Sequence, residues 1–275
     1  MLGGGIHGDC LFRGIISVEN LFTAWREFRR GKRTRRDVQE FEFSLEDSIF
    51  TLHDALAKGV YQHSSYTPFR VCDTKPRHIH KATIADRLVH HALFRVLNPI
   101  FDGVFIGDSY SCRKGKGTHA GLVRLKHVCR RASVGGRRVV WGLKCDVRRF
   151  FDSVDHATLL ELIERRVSCK GTLHIVRYIL ESFHTTPGKG LPLGNVTSQL
   201  FANVYLHELD RFVKHKLRAR YYVRYCDDFL ILGHDPVELR ELQKCIAEFL
   251  HEKLKLELHP HKVSLRTWRM GIDWV

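Results

Sequence analysis

The chain has 275 residues, 44% hydrophobic and 27% charged, which suits a globular protein with one large domain or two intimate subdomains. No apolar run approaches the ~18 residues of a membrane span, and the opening MLGGGIHGDCLFRG lacks a signal-peptide hydrophobic region. Its 45 Lys and Arg against 30 Asp and Glu leave a net charge of +15, which favours a polyanionic partner, nucleic acid ahead of an anionic membrane surface.

Eight cysteines are dispersed with no CxxC pair, which argues against a zinc knuckle or a disulfide framework and suits a reducing compartment, the cytoplasm. His78, His80, His90 and His91 lack a Cys or carboxylate partner at zinc spacing. They read as solvated or phosphate-facing.

Residues 26–36, REFRRGKRTRR, hold seven basic side chains and one acid; they are either a solvated helix end or a contact for backbone phosphates. Over 44–58 the spacing of Leu45, Ile49, Leu52 and Leu56 predicts an amphipathic helix. Residues 60–71 read as extended and 83–97 as helical. From 138 onward, VVWGLKCDV predicts a buried strand ending at Asp146. Asp152-Ser153-Val154-Asp155 supplies N-cap chemistry for a helix over 157–166. The loop 191–195 opens a long helix with the apolar stripe Leu200, Val204, Leu209, Phe212, Val213 and Leu217. Residues 221–225 and 229–232 predict a β-hairpin with Cys226, Asp227 and Asp228 at its tip. A helix over 236–254 and a short strand over 256–258 complete an α+β order with a small, mostly antiparallel sheet.

The hairpin carries the chemistry. VRYCDDFLIL sets two adjacent carboxylates in an apolar run, and their burial is costly unless something positive neutralises them. A nearby arginine such as Arg224 is one candidate. A divalent metal is the other, and it needs a further carboxylate. Asp146 supplies it if its strand shares a sheet with the hairpin, so that three acids converge at one edge. Magnesium is typically bound by one or two carboxylates, waters and substrate phosphates. Two such ions about 3.5–4 Å apart lower the pKa of an attacking hydroxyl and neutralise the leaving oxygens.

KCDVRRFFDSVDH, GLPLGNVTSQLFANVYLHELDRF and YYVRYCDDFLIL follow one another in the order and approximate spacing of the reverse transcriptase palm, and the chain resembles that family. FRVCDTKPRHIHKATIADRLVHHAL looks like its fingers block, with GDSYSCRKGKGTHA following; LELHPHKVSL and GIDWV resemble the two motifs after the catalytic hairpin. The resemblance covers roughly residues 20–275. It implies a right-hand polymerase fold, an antiparallel palm sheet packed on helices, with an N-terminal segment and fingers over 1–138 and the palm over 139–275. The sequence stops inside GIDWV, the motif that grips the primer in the family, so a thumb is expected to be absent or truncated.

The implied activity is DNA synthesis from dNTPs on a template RNA, with a bound primer–cDNA duplex and two magnesium ions, manganese serving as a substitute. By position, Asp146 and Asp227 resemble the metal-bridging pair, the Val147 carbonyl a further ligand and Asp228 the third, weaker acid. Phe151 matches the steric gate that excludes a 2′-hydroxyl; core packing is its alternative reading, one better suited to Phe150. Lys75 and Arg77 match cations that grip the triphosphate, and Lys262 a lysine suited to protonating the leaving pyrophosphate; each is otherwise a solvated surface cation. Gly194 and Gln199 of LGNVTSQ count among the substrate-binding residues. Arg113, Lys114 and Lys116 lie in a glycine-rich stretch able to approach nucleic acid, without the GK[ST] ending of a Walker loop.

Group II intron-type enzymes resemble LPQGxxxSP where this chain has Leu193 for Gln and Gln199 for Pro. LGNVTSQ with SYSCRKGKGTHA looks like the reverse transcriptases of diversity-generating retroelements, which implies error-prone cDNA synthesis and a small basic accessory protein. Retron, group II intron and phage-defence enzymes are the neighbouring alternatives. From other classes, a non-catalytic nucleic-acid binder suits the +15 charge equally well, and a two-metal nuclease would share the acids.

Overall fold

The computed structural model describes residues 8–72 and 76–271. In chain order the elements are α1 (Gly8–Ile16), α2 (Val18–Phe28), α3 (Arg36–Phe43), α4 (Leu45–Ala57), β1 (Thr67–Cys72), β2 (Pro76–Lys81), α5 (Ile84–Asp102), β3 (Ser109–Tyr110), α6 (Thr118–Ala132), β4 (Trp141–Asp146) and α7 (Phe150–Ser153). There follow α8 (His156–Glu164), α9 (Lys170–Glu181), α10 (Val196–Arg211), β5 (Tyr221–Tyr225), β6 (Asp228–Gly233), α11 (Pro236–Leu254) and β7 (Ser264–Thr267). The chain forms two compact units, one of 1–103 with 156–201, the other of 104–155 with 202–275.

In the first unit, α2 packs along α5 and buries Leu21, Trp25 and Phe28 with Leu88 and Leu97. Capping explains where these helices begin. Ser17 accepts from the Asn20 amide at the start of α2, and Thr83 accepts from the Asp86 amide at the start of α5. The β1–β2 ribbon is antiparallel, Thr67 opposite Lys81 through Cys72 opposite Pro76. A buried polar chain ties α5 to α10. Tyr61 and Thr83 hydroxyls donate to Asp86, His63 Nε2 meets His90 Nε2 at 3.0 Å, and His90 Nδ1 meets the Thr197 hydroxyl at 2.6 Å. Burial and the neighbouring His63 hold His90 well below the usual histidine range, so it stays neutral in this chain.

The second unit is built on a five-stranded sheet of order β3-β5-β6-β4-β7, antiparallel except for the short parallel pair β3–β5. In paired strands, directly opposed residues share a face. Register therefore gathers Val223, Tyr225, Asp228, Leu230, Lys144 and Asp146 on one face, and Tyr222, Arg224, Phe229, Ile231, Leu143 and Cys145 on the other. The first face carries the cluster of Leu125, Val128 and Cys129 from α6 against Val223, Leu230 and Leu232. On the second, Tyr222 and Arg224 meet Asp210 of α10.

One local expectation is corrected outright and a second, the N-cap stretch 152–155, in part. Residues 256–258 form no strand: Lys255 turns left-handed (φ 51°) and the Leu256 amide donates to Leu250, closing α11. Only Leu258 then bridges to Val147. Pro260, without an amide donor, suits the end of that pairing, and the strand forms later, at β7. Asp152 and Ser153 lie inside the one-turn helix α7, which begins after left-handed Arg149 (φ 43°), and Asp155 directly precedes α8. The basic run lies at the end of α2, in a turn and at the start of α3, where Arg29 pairs with Glu42 and Arg36 with Glu40. Among the described residues no helix is long and apolar enough to cross a membrane, and Cys72, Cys112, Cys129, Cys145, Cys169, Cys226 and Cys245 are free thiols.

Candidate active site

The hairpin β5–β6 turns through two residues, Cys226 and Asp227, with Tyr225 opposite Asp228. Cys226 takes a positive φ of 53°, uncommon for a residue with a Cβ but suited to a tight hairpin whose twist follows the strands. The turn is held from both sides. The Cys226 amide donates to Tyr110 in β3 at 3.2 Å, and Arg224 Nη1 donates to the Cys226 carbonyl at 2.9 Å.

Arg224 is therefore not the partner of the tip carboxylates. Its fully buried guanidinium forms a fork with Asp210, Nε to Oδ1 and Nη2 to Oδ2, both 2.7 Å, and Nη2 also donates to the Ser109 hydroxyl. Burial pulls its pKa down, but Asp210 outweighs burial and the net shift is upward.

Asp146 at the end of β4 stands directly opposite Asp228. The Asp146 carbonyl accepts from the His259 amide at 2.8 Å, on the β7 side of the strand. Its pairing with Asp228 is thus of the non-hydrogen-bonded kind, in which facing side chains come closest. The Arg148 amide likewise donates to Glu257 on that side. Backbone direction alternates along a strand, so the carbonyl of Val147 faces the other way, toward the hairpin.

Like charges directly across a sheet repel. Here two lysines face them. Lys262 Nζ donates to Asp146 Oδ2 at 2.8 Å, and Lys144 Nζ lies 3.5 Å from Asp228 Oδ1. Lys144 comes from the cross-strand diagonal, two residues before Asp146. Cation and carboxylate still do not balance. Burial, then the Asp146 and Asp228 charges, raise Asp227 above the ordinary carboxylate range. Burial raises Asp228 too, with Lys144 opposing and Asp146 adding. The hydrogen bond to Asp146 raises Lys262, which keeps it protonated at neutral pH. Asp228 Oδ1 is buried and accepts no hydrogen bond among the described residues.

The donor set fits a hard divalent cation: an under-satisfied carboxylate oxygen, two further carboxylates and a backbone carbonyl turned toward them. Among the described residues no three His, Cys, Asp or Glu side chains are grouped as a cage sufficient by itself. Magnesium does not need one, since waters and substrate phosphates usually complete its shell.

Phe150 and Phe151 divide their roles in the same unit. Phe150 is buried, 6.4 Å from the Tyr205 ring, while Phe151 is half-exposed and edge-on to Phe150. Arg113 stacks over Phe105 at 5.3 Å and donates to the Ile106 and Ser109 carbonyls, so it braces its own loop. The other expected substrate contacts belong to the first unit. Gly194 has φ +117°, and a Cβ there would lie 2.9 Å from Ile79 Cγ2; backbone and space both call for glycine. Leu193 is half-buried, its carbonyl accepting from the His80 amide at 2.9 Å, and Gln199 is exposed on α10. Arg77 stands opposite Val71 in the ribbon. Lys75 and the terminal 272–275 of GIDWV lie outside the described residues.

Reading the sequence did not single out Lys144 or Asp210. An acid within the apolar stripe of α10 was the available signal for Asp210, because a buried charge requires a partner. Lys144 had the matching one, a cation two residues from Asp146 in a buried strand.

A family model for reverse transcriptase (RNA-dependent DNA polymerase) matches residues 70–275. The group II intron-encoded protein LtrA of Lactococcus lactis subsp. cremoris is 26% identical over 260 residues, covering 90% of this chain and 41% of LtrA. Protein YkfC of Escherichia coli is 25% identical over 256 residues, covering 78% of this chain and 66% of YkfC. The chain thus spans about two fifths of LtrA's length. Among solved structures, telomerase from Candida albicans in complex with a fragment of telomeric RNA aligns with a TM-score of 0.58 at 10% identity, over 80% of this chain and 46% of that one. Apo telomerase from Candida tropicalis gives 0.58 over 78% and 46%. At such identities the likeness concerns the fold, an α+β palm-and-fingers arrangement. With its motifs in family order and three-quarters of its length matched by the family model, the chain belongs to the reverse transcriptase (RNA-dependent DNA polymerase) family.

Proposed function

We propose that the chain synthesises DNA on an RNA template, by attack of a primer 3′-oxygen on the α-phosphate of a dNTP. The observation that carries this reading is the facing pair Asp146 and Asp228, joined electrostatically by Asp227 at the turn, in a chain of this family. Asp146, Asp227, Asp228 and the Val147 carbonyl would hold magnesium, or manganese in its place. Bound there, the ions would supply Lewis-acid activation of the attacking hydroxyl and charge neutralisation at the leaving oxygens.

The chain's own groups do the rest. Lys262 keeps its proton through neutral pH and presents a charged donor beside Asp146, suited to a leaving phosphate oxygen. Lys144 offsets charge at Asp228. Phe151, half-exposed after the turn that follows Asp146, would lie under the sugar, and Lys75 and Arg77 would hold the triphosphate. In this reading 1–138 forms the N-terminal segment and fingers and 139–275 the palm. Purified protein given an annealed DNA primer on an RNA template, dNTPs and Mg2+ should extend the primer. No extension under any divalent metal would refute the proposal and leave the non-catalytic binder.

Sugar choice tests Phe151. Phe151→Val should raise ribonucleotide incorporation relative to deoxynucleotide by about tenfold or more, the worth of a steric clash of ~1–3 kcal/mol relieved. Competition assays with paired dNTP and rNTP measure it, and an unchanged ratio would make Phe151 a packing residue.

The finer reading is error-prone cDNA synthesis in a diversity-generating retroelement, supported by LGNVTSQ with Leu193 where the related LPQG pattern has glutamine. An apolar side chain there can neither donate nor accept a hydrogen bond. One such bond is worth roughly 0.5–1.5 kcal/mol, about a three- to tenfold change in error rate. Leu193→Gln should therefore lower misincorporation opposite template adenine. Sequenced cDNA from both enzymes on one RNA decides it; identical error spectra would remove this subtype while leaving the polymerase reading intact.

A further inference from the structure

At the other end of β4 from the acids, the second unit carries a cavity of about 580 Å3 lined by Lys126, Arg130, Arg138, Val140, Trp268 and Arg269, among others. Strand rise is about 3.3 Å per residue, so Trp141 to Asp146 puts it roughly 17 Å from the carboxylates along the strand.

Local structure explains how the cations gather. Lys126 and Arg130 lie one turn apart on α6 and both are exposed. The chain leaves α6 through left-handed Val134, Gly135 and Gly136, and the Arg138 amide returns to the Ser133 carbonyl at 2.9 Å. That reversal brings Arg138 back beside the helix end. After β7, the Trp268 amide donates to Val140 at 2.8 Å, and the half-buried indole packs on the cluster of Leu125, Val128 and Val140. Arg269 Nη2 is anchored on the Gly136 carbonyl at 2.8 Å.

Four cations line this cavity and no acid does. Like charges one turn apart on a helix repel, and a bound anion would relieve that repulsion. An indole beside such cations suits one anion above others, a nucleotide whose base stacks on the ring while its phosphates meet the arginines. The volume lies within the ~300–1,000 Å3 of ordinary ligand sites. An acidic peptide would use the cations but has no need of a planar aromatic face.

We propose that this cavity is a second nucleic-acid site, holding an unpaired nucleotide with its base on Trp268 and its flanking phosphates on Arg130 and Arg138, separate from the carboxylate cluster. It does not depend on whether the carboxylates polymerise.

The test uses the full chain with single-stranded hexamers of RNA and of DNA, each carrying 5-iodouracil, irradiated and mapped by peptide mass spectrometry. An adduct on the peptide containing Trp268 is expected, and Arg130→Gln with Arg138→Gln should cut its yield about tenfold at a fixed subsaturating concentration. In the same double variant the slope of log affinity against log salt for that cross-linking should fall by about 1.4, near 0.7 for each single-strand phosphate contact. Both glutamines replace exposed side chains, so the fold is retained. An adduct with RNA alone assigns the site to template, one with DNA alone to product; either supports it. No adduct near Trp268 with either hexamer, or a yield and slope unchanged in the double variant, overturns it. So does an acidic peptide whose binding needs Arg130 and Arg138 while neither hexamer cross-links there.

Discussion

Asp227→Asn is expected to lower primer extension by at least about a thousandfold, because under the proposed function it removes one carboxylate of the proposed metal site, which would forfeit several kcal/mol of charge stabilisation, and each ~1.36 kcal/mol is tenfold in rate. The same change should stabilise the fold when divalent ions are chelated. Asp227 is raised by burial and then by the Asp146 and Asp228 charges, so its ionised form is strained in the folded state. A raised folded pKa means that the native state binds the proton more tightly than the unfolded chain. That contribution is full below the unfolded value near 3.8 and is lost as pH rises through the folded one. Asparagine carries no such loss. Tm measured in EDTA should therefore be higher for the variant at neutral pH, with the gap closing as pH falls below 3.8. Added Mg2+ should raise the wild-type Tm more than the variant's, since only binding to the native state adds stability. A variant that extends primers normally would remove Asp227 from the chemistry. One that melts lower than wild type in EDTA would mean the carboxylate is held by partners and not strained.

What was legible in the sequence depended on how local its cause was. The VVWGLKCDV run and the YYVRY and DFLIL stretches carry their own strand signal, and β4, β5 and β6 formed there. The apolar spacing over 236–254 marks α11, and the structure adds its cap, the Asp235 side chain accepting from the Val237 amide. The three acids were legible through the motifs around them. Their neutralisation was not. Arg224 stood nearest in sequence, but the period of two turns it to the opposite face, toward Asp210, while Lys262 reaches Asp146 only after the chain closes α11, bridges at Leu258 and turns back. The two-residue strand β3 has no sequence signal of its own; Ser109 and Tyr110 are extended because β5 pairs with them. Helices α1, α2, α3, α6, α7 and α9 were not among the expected elements, and α6 in particular mixes its apolar residues with Arg124, Lys126, Arg130 and Arg131, so that its buried stripe becomes clear only against the sheet.

Asp210→Ala should cost about 3–5 kcal/mol, because it leaves the fully buried Arg224 guanidinium without its carboxylate. Against the 5–15 kcal/mol typical of a domain, that is a large share, and the denaturant midpoint should fall with the slope unchanged. Charge balance and turn geometry can be separated by a second variant. Replacing the pair together, Asp210→Leu with Arg224→Met, removes both ions, and apolar replacement of a buried pair is often neutral or stabilising. Most of the lost stability should return, reduced by the orphaned Tyr222 hydroxyl, which donates to Asp210 at 2.7 Å. Activity should not return with it. Arg224 Nη1 also donates to the Cys226 carbonyl, and without that bond the positive-φ turn carrying Asp227 loses its clamp from the sheet. A double variant that is stable yet extends primers well below wild type, with dNTP KM little changed, would show Arg224 positioning the turn. Full activity in the stable double variant would reduce the ion pair to a packing device, with the turn held by the Cys226 amide and Tyr110 alone.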